Sequence, residues 1–308
     1  MHSPTLPVLV LSLISSASWA QSPTVRIRAG DTLPSGDHVT AVITNQVDDR
    51  GSWLALVDSD FADSSQDGFL LRDGQVLVRE GVSVAEPAGS TLDDFVAIAR
   101  GVGGDYASIL RVRLSFSQID GLYFNKQLVA LEQDVVGAPE VPAAATWDRF
   151  NGAWLNGSRT LFVLGEINNP NIFGVREDAL VRFQLDETGT VLSKNVVLTK
   201  GQFVPALNGA VSLLGSNGYS ALNGRGDYLG YVYLAPGGPG ALLKNLDTVL
   251  AREGDPSPIL GRSYRSLTLS KMALNDHGEH AFTAVLDGTA DTYCIIKNGQ
   301  KFVQGGDA

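Results

Sequence analysis

Two short elements alternate along this chain, and their alternation constrains the fold more than any single motif. The first is a glycine turn running into an extended apolar stretch: "DDRGSWLAL" around Gly51, "GVGGDYASI" around Gly104, "NGRGDYLGY" around Gly226 and "NDHGEHAF" around Gly278, with "NGSRTLFV" carrying Arg159 at the glycine position. The second is an extended run that stops at a Gly-Asp-type corner: "FLLRDGQVLVREG" to Gly81, "LYFNKQLVALEQD" to Asp134, "LSKNVVLTKG" to Gly201, "LKNLDTVLAREGD" to Asp255 and "CIIKNGQKFVQGGD" to Asp307. They recur five times, about 52 residues apart except for a third interval of about 68, which is the mark of a repeated supersecondary unit.

The last unit divides into four extended candidates, "SYRSLTLSKMALN", "EHAFTAVLD", "TYCIIKN" and "QKFVQGG". They are rich in β-branched and aromatic residues and are separated by turn signals. Asn298-Gly299 suits a tight hairpin, and Asp73-Gly74 fills the same place in the first unit. The sequence therefore predicts an all-β protein, a five-bladed β-propeller of four-stranded antiparallel blades, with a β-sandwich pair or an open β-solenoid as the alternative. The units span residues 31–81, 82–134, 135–201, 202–254 and 255–307 within a single repeat domain, 21–308. "VRIRAGD", ending at Asp31, resembles "KFVQGGD", ending at Asp307, so Val25 to Ala29 is expected to pair near the C-terminal blade.

Residues 1–20, "MHSPTLPVLVLSLISSASWA", read as a signal peptide: a short apolar core from Leu6 to Ile14 is followed by small residues ahead of Gln21. That core is too short for a membrane span, and no second long apolar run follows, so the expected location is secreted, periplasmic or cell-surface associated with no integral membrane segment. The 33 acidic against 23 basic side chains, a formal charge of −10, argue against nucleic acid as a partner. Cys294 is the lone cysteine, so no internal disulfide is available, and in "DTYCIIKNG" it reads as a small buried strand residue.

The recurring Asn-x-x-Gly-x-x-Ala-Phe element, clearest at Asn275, Gly278, Ala281 and Phe282, together with "VLAREGDP", resembles the tandem-repeat family of secreted bacterial proteins described by that signature. The resemblance implies an exported or cell-surface protein and carries no catalytic residue with it. The chain departs from the signature at Arg159 and in the flanks at Trp53-Leu54 and Tyr106-Ala107.

No nucleophile elbow, phosphate loop or zinc-protease pair is present in the sequence. His277 and His280 sit three apart in a stretch read as turn and strand, where their rings would face opposite sides rather than converge on zinc. The acidic stretch with Asp58, Asp60, Asp63 and Asp67 offers the oxygen donors that suit calcium, without the spacing of an EF-hand loop; no other cofactor is indicated. Asn156-Gly157-Ser158 reads as a turn as well as a glycosylation sequon. The longest unit, the third, contains "TWDRFNGAW". There Trp147, Arg149 and Trp154 are the expected contacts for an extracellular glycan or protein, the indoles supplying apolar faces and Arg149 hydrogen bonds. The function expected is a secreted or cell-surface scaffold that binds a ligand, the alternative being a secreted carbohydrate-active hydrolase with an unassigned pair of carboxylates.

Overall fold

The computed structural model describes residues 25–47, 51–170, 176–214, 221–235, 237–267, 271–288 and 292–307; residues 1–20, read from the sequence as a signal peptide, lie outside them. The chain is a five-bladed β-propeller made of five antiparallel sheets. Blade 1 comprises Val39–Val47, Trp53–Ser59, Gly68–Arg72 and Gln75–Arg79; blade 2 comprises Thr91–Arg100, Tyr106–Leu114, Ser117–Phe124 and Gln127–Leu131. Blade 3 has the longest strands, Thr146–Leu155, Thr160–Asn168, Arg176–Leu185 and Val191–Thr199. In blades 4 and 5 two pieces pair with the second strand in place of one long first strand: Gly209–Leu214 and Ala221–Leu222 against Tyr228–Leu234, and Tyr264–Ser266 and Met272–Leu274 against His280–Leu286. Gly240–Lys244 with Thr248–Arg252, and Tyr293–Lys297 with Gln300–Gln304, complete these two blades.

Alternation of side chains across each strand sends one set toward the preceding blade and the other toward the next. Leu70 of blade 1 thus packs with Leu92, Phe95 and Tyr123 of blade 2. Ile109 and Leu122, on blade 2's other face, pack with Trp147 and Phe183 of blade 3. Phe162 and Leu180 meet Val232 and Leu243 of blade 4, and Leu242 meets Phe282 and Ile296 of blade 5. A further cluster, Trp53, Val57, Phe69 and Leu71 with Leu33, Val39 and Ile27, lines the remaining face of blade 1, and no described blade 5 residue belongs to it.

The Gly-Asp corners join one blade to the next. At each, a residue in the left-handed conformation donates its N–H to the first strand of the following blade: Gly30 to Val39, Gly81 to Leu92, Gln133 to Trp147, Gly201 to Val211 and Gly254 to Tyr264, at 2.7–2.8 Å. The strand residue donates back to the carbonyl of the next corner residue, Asp31, Val82, Asp134, Gln202 and Asp255 in turn. The φ values, +93°, +76°, +71°, +85° and +91°, explain why glycine fills four of the five places. Residues 25–28 form no strand, and Ile27 packs on blade 1, so the expected pairing of Val25 to Ala29 with the C-terminal blade is replaced by a corner that locks onto blade 1 itself.

The glycine-turn element closes the opposite end of the blades. The Oδ1 of Asn223 accepts the N–H groups of Arg225 and Asp227, that of Asn275 accepts those of His277 and Glu279, and that of Asn156 accepts those of Ser158 and Thr160. One asparagine thus satisfies two donors of a tight reversal. Arg159 keeps the left-handed turn with φ +57° and donates its Nε–H to Asp105 of blade 2 at 2.9 Å, so the irregular copy gains an inter-blade ion pair.

Gln133 is the exposed, non-glycine member of the corner series. Replacing it with glycine relieves a left-handed side-chain clash and is expected to raise stability by about 1 kcal/mol, whereas Gly254→Ala is expected to lower it by about 1–2 kcal/mol; chemical denaturation of the pair measures both.

Candidate functional site

Trp147, Arg149 and Trp154 share one strand but not one surface. Trp147 is 0% exposed, faces blade 2, and packs its ring against Phe150 and Phe183 at centroid distances of 4.9 and 6.3 Å. Its backbone also holds the corner at Gln133, which makes it a core residue with no surface to offer a ligand. Trp154 lies across from Phe162 on the face toward blade 4 and is partly buried against that core. Of the three, Arg149 is the most exposed, its side chain 51% accessible, with Trp154 intermediate.

Arg149 belongs to a row of arginines at the end of the blades that carries the Gly-Asp corners. In blade 3 the register sets Arg149 beside Glu166 and Glu166 beside Asp178. Arg149 pairs with Glu166, and Arg176 pairs with Asp148 at 3.0 Å, while Asn168 donates to the same aspartate at 3.1 Å. Blade 2 repeats this with its charges rearranged: Arg111 sits between Asp94 and Asp120 in register and grips Asp120 at 2.9 Å, and Arg113 pairs with Asp93. In every case the carboxylate is far less exposed than its guanidinium: Asp120 at 5%, Glu166 at 13%, Asp93 at 15% and Asp148 at 16%, against 38–60% for Arg111, Arg149, Arg113 and Arg176. Each planar fork is thereby held in one orientation with N–H groups left toward solvent. Hydrogen bonding to Glu166 holds Arg149 even more firmly in its charged form, and that to Asp120 does the same for Arg111. Arg111, Arg113 and Arg176 escaped the sequence reading because cross-strand register, which brings them to their carboxylates, is invisible until strand pairing is known.

The acidic residues at the same end have scaffold work. Glu80 accepts the N–H of Gly68 at 2.9 Å, Glu132 that of Asp120 at 3.0 Å and Glu253 that of Gly240 at 3.0 Å: one glutamate at one position in three blades, each bonded to the backbone of its blade's third strand. Glu253 also accepts from Tyr231 and from Leu267 of blade 5. In blade 3, where Lys200 occupies the glutamate position, Asp178 accepts instead from Leu214 of blade 4. Burial, with like charge from Asp94, Asp67 and Asp58, pushes Glu80 up to about 7 despite its backbone hydrogen bond.

The remaining expectations resolve by position. Asp60 is tied to His38 and Asp63 to Ser65 and Gln66, while burial raises Asp58. Among the described residues no group of three or more His, Cys, Asp or Glu side chains is arranged to hold a metal ion. His277 is exposed at a turn, and His280 is half buried and held toward its neutral form by desolvation. Cys294 is buried at 4%, and Asn156 is buried at 4% with its oxygen committed to the turn, which leaves the sequon asparagine facing inward. No described helix is long and apolar enough to cross a membrane.

No family model and no curated protein matches the chain. Among solved structures the fold is similar to the crystal structure of a polysaccharide lyase, Uly1, with a TM-score of 0.39 and 13% identity over 84% of this chain. The match covers 58% of the lyase, so the chain spans little more than half of that protein's length.

Two outcomes follow from this placement. Trp147→Ala opens a cavity beside Phe150 and Phe183 and is expected to cost about 3–5 kcal/mol of stability, read by denaturant unfolding. Protonated Glu80 favours the fold, so its contribution is complete below the unfolded value near 4.5 and is lost as pH rises through about 7, a difference on the order of 3 kcal/mol. The gap in melting temperature between Glu80→Gln and the parent should accordingly move in favour of the glutamine variant from pH 4 to pH 8.

Proposed function

We propose that this chain is an exported, non-catalytic scaffold that binds an anionic extracellular ligand, a polymer bearing carboxylate or sulfate groups, through the arginine row of blades 2 and 3. The observation that carries the reading is the pairing of four exposed guanidiniums with mostly covered carboxylates at one end of adjacent blades. A carboxylate that fixes an arginine from below leaves the outer N–H donors preorganised, which lowers the ordering cost of recognition. Blades 2 and 3 pack on one shared apolar core, so the two halves of the row stand on adjacent blades. The outward N–H donors of these guanidiniums are what this face, acidic like the chain as a whole at formal charge −10, offers to an oxyanion.

The hydrolase alternative would draw on Glu80, whose raised pKa is the kind found in a general acid. Its counterparts Glu132 and Glu253 make the same backbone bond in two other blades, and a feature repeated from blade to blade is better explained by the blade. The scaffold reading is therefore preferred.

Arg113→Gln combined with Arg176→Gln removes two outward forks that are 55% and 60% exposed. The double variant is expected to bind polygalacturonate or a sulfated glycan at least tenfold more weakly, with a shallower salt dependence, while neutral dextran is bound by neither protein. Unchanged affinity in the folded double variant, or release of new reducing ends from the polymer, would count against the proposal.

A further inference from the structure

The series of Gly-Asp corners has a sixth member. Gly306 has φ +86°, within the range of the other five. The N–H of Asp307 bonds back to the Gln304 carbonyl at 3.1 Å, and the Asp307 carboxylate accepts the Gln304 N–H at 2.8 Å. Asp31 and Asp134 close their corners with the same two bonds. At Gly30, Gly81, Gln133, Gly201 and Gly254 the finished corner holds the first strand of a blade. Gly306 and Asp307 are exposed, and the N–H of the one and the carbonyl of the other bond to no described residue. A corner that keeps its shape without a strand is a preformed pair of main-chain partners.

Blade 5 also carries the surface on which such a strand rests. In each earlier blade one cross-strand pair of the third and fourth strands lies in the cluster shared with the next blade's first strand: Leu70–Val78, Leu122–Ala130, Leu180–Leu198 and Leu242–Ala251. Ile295–Val303 holds this position in blade 5, beside the same irregularity of the ladder. Ala130, Leu198 and Ala251 are 2–4% exposed, but Val303 is 38% exposed, and Tyr293, two residues from Ile295 on the same face, is 65% exposed. A groove of about 310 Å³ runs over this face, lined among others by Tyr293, Ile295, Val303 and Gly305.

The five strands that are held show what such a corner selects. Each begins with an apolar residue, a polar one, any residue and a second apolar one: Val39-Thr40-Ala41-Val42, Leu92-Asp93-Asp94-Phe95, Trp147-Asp148-Arg149-Phe150, Val211-Ser212-Leu213-Leu214 and Tyr264-Arg265-Ser266-Leu267. In all five the strand bulges at the polar residue, which turns the two apolar side chains to one side. Leu92 and Phe95 thus both pack in the cluster that holds Leu70 and Val78. Every one of these strands is already held by its own corner, so neither this chain nor a second copy has a described first strand to spare. We propose that blade 5 captures an extended segment of a different polypeptide with this apolar-polar-any-apolar pattern. Its first apolar residue exchanges two main-chain hydrogen bonds with Gly306 and Asp307, and both apolar side chains cover Ile295 and Val303. The main-chain bonds set register and the apolar side chains set selectivity. The assignment rests on the corners and blade faces and is independent of the arginine row.

The test uses the full mature chain and a labelled synthetic peptide of residues 89–101, GSTLDDFVAIARG, which contains the first strand of blade 2. Saturable binding tighter than about 100 µM is expected by fluorescence anisotropy, with new protection of the Gly306 amide in hydrogen exchange. The peptide carrying Leu92→Asp with Phe95→Asp, and the peptide N-methylated at Leu92, should each bind at least about tenfold more weakly, since one loses the apolar pair and the other the main-chain donor. Val303→Asp and Gly306→Val in the protein should weaken binding by a similar factor. Both positions are exposed, so the melting temperature should move little and a loss of affinity is not a loss of fold. The Arg113→Gln/Arg176→Gln variant should bind the peptide as the parent does. Absence of binding at about 1 mM peptide, equal binding of the doubly substituted peptide, or unchanged affinity in both protein variants would overturn the assignment. So would a parent that sediments as a dimer and becomes monomeric on Val303→Asp, because the occupant would then be a second copy.

Discussion

Everything in this propeller depends on one reciprocal pair of backbone hydrogen bonds. A corner residue with positive φ donates to the first strand of the next blade and the strand donates back to the following corner carbonyl, so blade succession is fixed by main chain rather than by side-chain chemistry. Side chains are then free to fill the faces. Leu70, Leu122, Phe162 and Leu242 are different residues serving the same purpose, that of closing apolar surface between neighbours. With the apolar faces consumed between blades, polar function is confined to the two ends.

Those ends differ in kind. At the corner end, buried glutamates cap strands and buried aspartates aim arginines outward, and the charges are held so closely that most have a structural duty as well. At the turn end, asparagine side chains stitch tight reversals, and Asn223 reaches the Asn275 carbonyl of the neighbouring blade at 3.0 Å.

The repeat was readable because both of its elements need particular residues. Glycine is demanded at the corner by φ and asparagine at the turn by its single oxygen serving two donors, so both left periodic traces that survive the divergence of the strands between them. Strand pairing followed from hairpins such as Asp73-Gly74 and Asn298-Gly299. The candidate site was much less readable. Trp147 looked like a recognition residue in an irregular unit, yet its identity answers to the space beside Phe150 and Phe183. Arg149 was visible, but its partner Glu166 lies on the next strand and the exposed Arg113 lies in another blade; what joins them is register, with no local sequence signal. The first-copy corner at Asp31 likewise looked like a closing strand, because its sequence matches the last copy while its partner, Val39, lies a few residues ahead.

The uninterrupted meander within each blade has a kinetic consequence. Strands pair mainly with their neighbours along the chain, so few large loops must close before contacts begin to form, a topology with mostly local entropy costs. Blades 2, 3 and 4 are sandwiched between apolar clusters on both faces, whereas blade 5 shares such a cluster only with blade 4 among the described residues. Opening should accordingly begin at the C-terminal blade and spread inward, giving a graded order of amide exchange along the ring in which the strands around Trp147 are the last to yield.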